Sequence, residues 1–239
     1  MKAVFEYWPV LAQGLWVTVW VSVCIILGAA LGAVVLGALR LSEIWLIRAS
    51  SMLFIECVRG PSALALLFWV FYVLPTFGGM PRLSPLTAAI LVLALDGAAY
   101  GAEIVRAGIE AVHRGQTDAC HALGLSKWRS FTNVILPQAL SQIVPAFGSL
   151  ARSMIKWTAL VGFIGVQDVL YVGNFVRGQT FEIFTVYSLL AALYWILTVL
   201  CGAGFRAIER VLPLNQALRA ARSSVQATPG TDPLARAVQ

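Results

Sequence analysis

Residues 7–39, YWPVLAQGLWVTVWVSVCIILGAALGAVVLGAL, hold no charged side chain. Crossing the hydrocarbon core of a bilayer takes about 20 apolar residues, so this run is long enough to span with some tilt. Gly28, Ala29, Gly32 and Ala33 give it a small-residue face suited to close helix contact. No small-residue cleavage site follows a short apolar core, so an uncleaved first span is expected and not a removed signal peptide.

The whole chain fits that beginning. Its 239 residues are 59% hydrophobic and 12% charged, with a mean hydropathy of +0.82. A soluble domain carries about 25% charged residues, and disorder needs low hydrophobicity with high net charge. Both classes are excluded. Further spans are expected at about 50–75, 84–105, 138–166 and 183–206. Gly60-Pro61 can kink or break the second of them, and Ser84-Pro85 offers an N-cap and a first-position proline to the third. The fold class read here is an all-α integral membrane protein of five transmembrane helices. Residues 1–212 form the membrane domain, and a frayed or disordered cytoplasmic tail follows over 213–239.

The net charge of +6 raises the possibility of nucleic acid, but the basic residues are scattered singly, without a stripe. No nucleic-acid partner is expected. Assigning loops 40–59 and 106–131 and the tail to one side collects twelve of the seventeen Lys and Arg residues there, Arg59 among them. Three (Lys2, Arg82, Arg177) fall on the other side, and Arg152 and Lys156 lie within the fourth span. The positive-inside rule then puts the N-terminus outside and the C-terminus in the cytoplasm. Four cysteines and two histidines lack the repeated spacing of a disulfide framework or a zinc site. No metal site and no catalytic constellation are expected.

The loop between the third and fourth spans is more than a connector. Thr117 to Leu123 is helix-compatible, Gly124 stands where a left-handed cap would end that helix, and Ser126 can cap a second one leading to Leu136-Pro137. A short helix over about 113–130 can dock into a groove on a soluble partner or lie on the lipid surface.

Asp118-Ala119-Cys120, three residues, Gly124, nine residues, then Val134-x-Leu136-Pro137 resembles the EAA motif of ABC importer permeases, with matching spacing. The likeness covers about residues 12–212. It includes Gly14 and Thr18, Phe54-x-Glu56-x-x-Arg59-Gly60, Leu83-Ser84-Pro85, Ala99-Tyr100-x-x-Glu103-Ile104-x-Arg106, Gly115-Gln116, Ala122-Leu123-Gly124-Leu125-Ser126 and Ile208-Glu209-Arg210. These segments are similar to the polar amino-acid branch (histidine, glutamine, glutamate, arginine and opine permeases).

The resemblance implies a coupling helix, carrying Gly115, Gln116, Asp118, Ala119, Cys120, Ala122, Leu123 and Gly124, held in a cleft of a cytoplasmic ATPase subunit. It also implies two ATPase subunits, a second permease subunit (identical or homologous), an extracytoplasmic solute-binding protein and the bacterial inner membrane. The chain lacks a G-x-x-x-x-G-K-[ST] phosphate loop. ATP and Mg are therefore expected on the partner ATPase, and no cofactor on this chain.

Charges inside membrane spans are costly and point to function. Asp96, Tyr100 (i+4) and Glu103 (i+7) share a helix face and, with Arg152, Lys156, Trp157 and Thr158, are the candidate substrate-path residues. Asp96 stands where the family commonly shows a neutral polar residue. It either lines the path, favouring a substrate with a positive group, or pairs internally with Arg152 or Lys156. Trp157 replaces the family's acid in a Lys-Asp-Thr-Ser-Leu-like segment. It either offers a cation–π contact or packs at an interface. The function expected is the permease subunit of an ATP-driven importer for a polar amino acid or related zwitterion. A compatible solute such as ectoine is the alternative cargo, and an ATP-independent secondary transporter the alternative class.

Overall fold

The computed structural model describes residues 6–77 and 82–211. The tail expected to be disordered lies outside the described residues. Every regular element among the described residues is helical.

Helix α1 (Trp8–Arg40) is the longest apolar rod, and its C-terminal two thirds lie against α4 (Pro85–Glu110). Small residues make this approach possible. A Cβ on Gly32 would sit 2.6 Å from the Ala98 Cβ, and one on Gly101 would sit 2.6 Å from the Ala33 Cβ. Both are closer than real Cβ atoms come, so the glycines set the spacing of the two helices. α4 opens as its sequence suggests, with Pro85 in the first turn and Ser84 Oγ accepting from Thr87 N at 3.2 Å.

The second expected span is broken. Helix α2 (Trp45–Arg59) ends at Gly60-Pro61, and α3 (Ala63–Phe68) continues through Thr76 at 96° to it. Gly60 keeps helical angles although a proline follows, and a Cβ there would lie 3.1 Å from Glu56 O. A larger residue at position 60 would meet the steric conflict that proline imposes on its predecessor.

After α5 (Arg114–Ala122) and α6 (Lys127–Ser130), a π turn at Phe131–Ile135 leads into α7 (Leu136–Trp157), which a 3-10 segment extends to Ile164. A stop at Leu136-Pro137 and a fresh span near Gln138 were the expectation; instead one helical stretch runs from Lys127 to Ile164 through the proline. Another π turn, Trp69–Val73, likewise ends two residues before a proline, Pro75. A proline ring collides with the carbonyl four residues back, here Asn133 and Phe71. Both carbonyls lie in the widened turn, where i→i+5 bonding makes room for the ring.

Helix α8 (Val169–Thr180) occupies a stretch expected to be loop, and α9 (Ile183–Val211) closes the bundle. At 12 residues, α8 is about 18 Å long, well short of the ~30 Å hydrocarbon core. It packs Val169, Val172 and Val176 against Leu11 of α1 and against Val186 and Leu190 of α9. The main core sits between α1, α4 and α7, around Ile25, Ala29, Val92, Leu93 and Met154.

Overpacking the seam gives the first prediction. Gly32→Val should cost roughly 1–3 kcal/mol, read as a lowered melting temperature of the purified chain in detergent. Gly204→Ala, on α9 where nothing lies within 4 Å of the added carbon, should leave it unchanged or higher.

Candidate translocation site and coupling surface

Two regions carry the polar chemistry, one inside the helix bundle and one at the Arg-rich end, where α1 finishes at Arg40 and α4 at Glu110.

Inside, Asp96 lies twelve residues past Ser84, about 18 Å along α4, and is only 4% exposed. It makes no hydrogen bond or ion pair among the described residues, and Arg59 is the one charge acting on it. That answers the internal-pair alternative: neither Arg152 nor Lys156 is its partner. Arg152 folds back onto its own helix, donating from Nη2 to Ser149 Oγ at 2.9 Å, and lies over Gly202 of α9. Lys156 is exposed and has no partner among the described residues. Gln142, Ser149 and Lys156, seven residues apart and all exposed, make a polar stripe down one face of α7.

Arg59 is the residue the sequence placed wrongly. Counted above with a cytoplasmic loop, it stacks over the Tyr100 ring, 4.6 Å from the ring centroid, sixteen residues into α4. Its Nε is buried without an acceptor. Tyr100 in turn lies 5.9 Å from Trp157, centroid to centroid. The break at Gly60 carries Arg59 to this depth, so the broken span and not the fourth span supplies the cation. Its signal in the sequence was an arginine one residue before Gly60-Pro61.

The other candidates part company with this cluster. Glu103 pairs with Arg40 (Nε to Oε1, 3.0 Å) and with Arg106 (Nε to Oε2, 3.0 Å), tying the ends of α1 and α4 together. Thr158 is fully buried and donates to Ile155 O at 2.7 Å. It starts the 3-10 segment and does not face an open path.

A buried acid missed in the sequence is Asp168. With 0% exposure it caps α8, accepting from Tyr171 N at 2.9 Å, and its Oδ2 accepts from the Tyr194 hydroxyl of α9 at 3.1 Å. Thr18 of α1 accepts from Val169 N at 3.0 Å. One polar knot therefore joins α1, α8 and α9. An acid just before Val169, Val172, Gly173 and Val176 at helical spacing was the cue that could have revealed both the cap and the helix.

At the Arg-rich end, α5 starts earlier than expected, at Arg114. His113 Nδ1 accepts from Gly115 N at 3.0 Å as an uncommon cap. Its end is a Schellman turn: Gly124 has φ +69°, Gly124 N donates to His121 O, and Leu125 N donates to Cys120 O, both at 3.0 Å. Cys120 is buried, whereas Gly115, Gln116, Asp118, Ala119, Ala122, Leu123 and Gly124 are exposed. Leu123 is 77% exposed, and Trp128 of α6 is 73% exposed. Both are large apolar side chains left uncovered at this end. Ser126 caps α6, accepting from Arg129 N at 3.4 Å.

These features are those of a membrane transport subunit, and comparison with known proteins identifies the class. Residues 10–212 match the family described as binding-protein-dependent transport system inner membrane component. The chain belongs to this family; it is a multi-pass permease subunit of an ABC importer, a translocation component. It is 31% identical over 209 residues to the glutamine transport system permease protein of Escherichia coli, covering 87% of this chain and 95% of that one. An L-cystine transport system permease protein of Bacillus subtilis is 32% identical over 222 residues, covering 90% and 92%. Among solved structures, an amino acid ABC transporter crystallised with histidines superposes with a TM-score of 0.81 at 30% identity, covering 87% of this chain and 97% of that one. An inward-facing methionine ABC transporter shares the fold, with a TM-score of 0.71 at 21% identity.

The Asp168 knot can be tested directly. Tyr194→Phe removes the donor to a buried carboxylate and should cost about 1–3 kcal/mol, read by thermal unfolding. Tyr187→Phe, which loses an exposed bond to Asn174, should stay within about 0.5 kcal/mol of the parent.

Proposed function

We propose that this permease imports an amino acid or a chemically related zwitterion, and that Asp96, Arg59, Tyr100 and Trp157 are where the cargo is read within the membrane. The observation that carries this reading is the pair of unsatisfied opposite charges. A carboxylate 96% buried lies within the electrostatic reach of a guanidinium whose Nε is buried and unbonded, and the two form no ion pair. Charges kept in this state inside a span are costly, and a ligand carrying both an ammonium and a carboxylate would satisfy both. The two rings beside them supply an apolar wall and a cation–π face. Glutamine and cystine permeases among the relatives support cargo of this chemistry.

In this reading the Arg-rich end is cytoplasmic, which places the N-terminus outside and the C-terminus inside. Two ATPase subunits, holding ATP and Mg, grip α5 at Gly115, Gln116, Asp118, Ala119, Ala122, Leu123 and Gly124, with Cys120 anchoring the helix beneath. An extracytoplasmic binding protein delivers the solute at the other end. The polar stripe of Gln142, Ser149 and Lys156 is poorly suited to lipid. It faces a second permease subunit, identical or homologous, across a water-lined path. Closure of the ATPase dimer pushes α5 and switches the path from one side to the other.

Uptake into proteoliposomes holding the complete transporter tests the cargo site with glutamine, histidine, arginine and ectoine, the three amino acids also offered as carboxamides. Asp96→Asn should lower uptake about tenfold or more, the size of one lost charged hydrogen bond. Arg59→Gln should erase the preference for free acid over carboxamide, and Arg59→Lys should keep it. Unchanged kinetics in both neutralising variants would remove the cargo role, and uptake without any ATPase would remove the importer reading.

Coupling has its own test. Gly124→Val strains a left-handed residue by about 1–2 kcal/mol without a clash, since nothing lies within 4 Å. ATP hydrolysis should continue in this variant while uptake falls. Normal coupling would argue against docking through the capped turn.

A further inference from the structure

At the Arg-rich end, a groove of about 280 Å³ opens between α1, α2 and α4. Arg40, Trp45, Arg48, Met52, Arg106 and Glu110 line it. Its charges do not balance. Arg40 and Arg106 share Glu103, and Arg106 also holds Glu110. Arg48 is exposed and has no acidic partner among the described residues. Arg40 is mostly buried in its pair with Glu103, so Arg48 is the cation open to the groove. Three guanidiniums thus share two carboxylates, leaving one positive charge, on the exposed Arg48.

A phosphodiester meets this need, because it brings a single negative charge and two acceptor oxygens that fit the guanidinium fork of Arg48. The walls say in what form it comes. Trp45 is 69% exposed and Met52 49% exposed, and Leu46, Leu53 and Phe54 continue the same outward-facing apolar surface of α2. A free phosphate gains nothing from these side chains, whereas acyl chains do, and tryptophan favours the membrane interface. We propose that this groove binds the headgroup phosphate of an anionic phospholipid, with the acyl chains lying along Trp45 and Met52.

The groove is distinct from the cargo site: Arg106 is ten residues, about 15 Å, along α4 from Asp96. It does not depend on which solute is carried. A basic pocket between membrane helices is a recurrent place for such headgroups. The single surplus charge favours a lipid with net charge −1 over a zwitterionic one.

The test uses the complete permease–ATPase complex in phosphatidylcholine nanodiscs doped with spin-labelled phosphatidylglycerol or spin-labelled phosphatidylcholine. The motionally restricted fraction reports binding. Wild type should hold phosphatidylglycerol about fivefold more tightly than phosphatidylcholine, the equivalent of one arginine near an anionic lipid. Arg48→Gln should abolish that preference, Arg48→Lys should retain most of it, and Arg129→Gln, exposed but off the groove, should not change it. Equal binding of the two lipids by wild type overturns the proposal without recourse to any variant. So does equal loss in Arg48→Gln and Arg129→Gln, or displacement of the labelled lipid by inorganic phosphate at constant ionic strength.

Discussion

The close approach of α1 and α4 is the constraint on which the rest of the bundle depends. Lipid tails are as apolar as leucine, so membrane helices associate through packing, not through expulsion of water. The seam supplies it with glycine and alanine: Gly28, Gly32 and Ala33 on one rod against Ala94, Ala98 and Gly101 on the other. Once the two rods are spaced this way, Gly97 receives Met154 of α7 and Gly101 receives Phe147. Arg40 comes within reach of Glu103. The core, the ion pairs at the Arg-rich end and the position of Asp96 all follow from one interhelical distance.

What the sequence made legible is what local rules govern. Residues 7–39 could only be a span, Ser84-Pro85 could only begin a helix well, and Gly124 sits in the left-handed turn its neighbours suggested. The misses have tertiary causes. Val169–Thr180 is too short and too mixed to stand out, and its reason to be helical is the groove between α1 and α9 into which its valines fit. Pro137 reads as a stop, yet a widened turn passes the helix through it. Arg59 looked like an ordinary flanking arginine because its depth is set by a 96° bend that composition does not encode.

The ionisable residues of the spans show how little burial alone says. Glu103 is consumed by two arginines and serves as a clasp. Arg152 is laid across Gly202 and bonded to Ser149. Asp168 is more buried than any of them and is fully occupied as a cap and a tyrosine acceptor. Asp96 has no hydrogen bond or ion pair among the described residues, and Arg59 has the Tyr100 ring face but no carboxylate. The chemically informative property is therefore not a charge within the membrane but a charge without a partner.

The break at Gly60-Pro61 also bears on how the chain comes to be in a membrane at all. Trp45–Arg59 is about 22 Å long, and the 14 residues of Ala63–Thr76 reach no further. Neither piece crosses the ~30 Å hydrocarbon core alone. Gly60, Pro61 and Ser62 are exposed at the corner, where backbone groups cannot be left bare to lipid. Ile55 and Val58 pack on Ala99 and Ala102 of α4, and Leu67 joins the core between α1 and α4. The broken span is thus held by its neighbours and not by its own length.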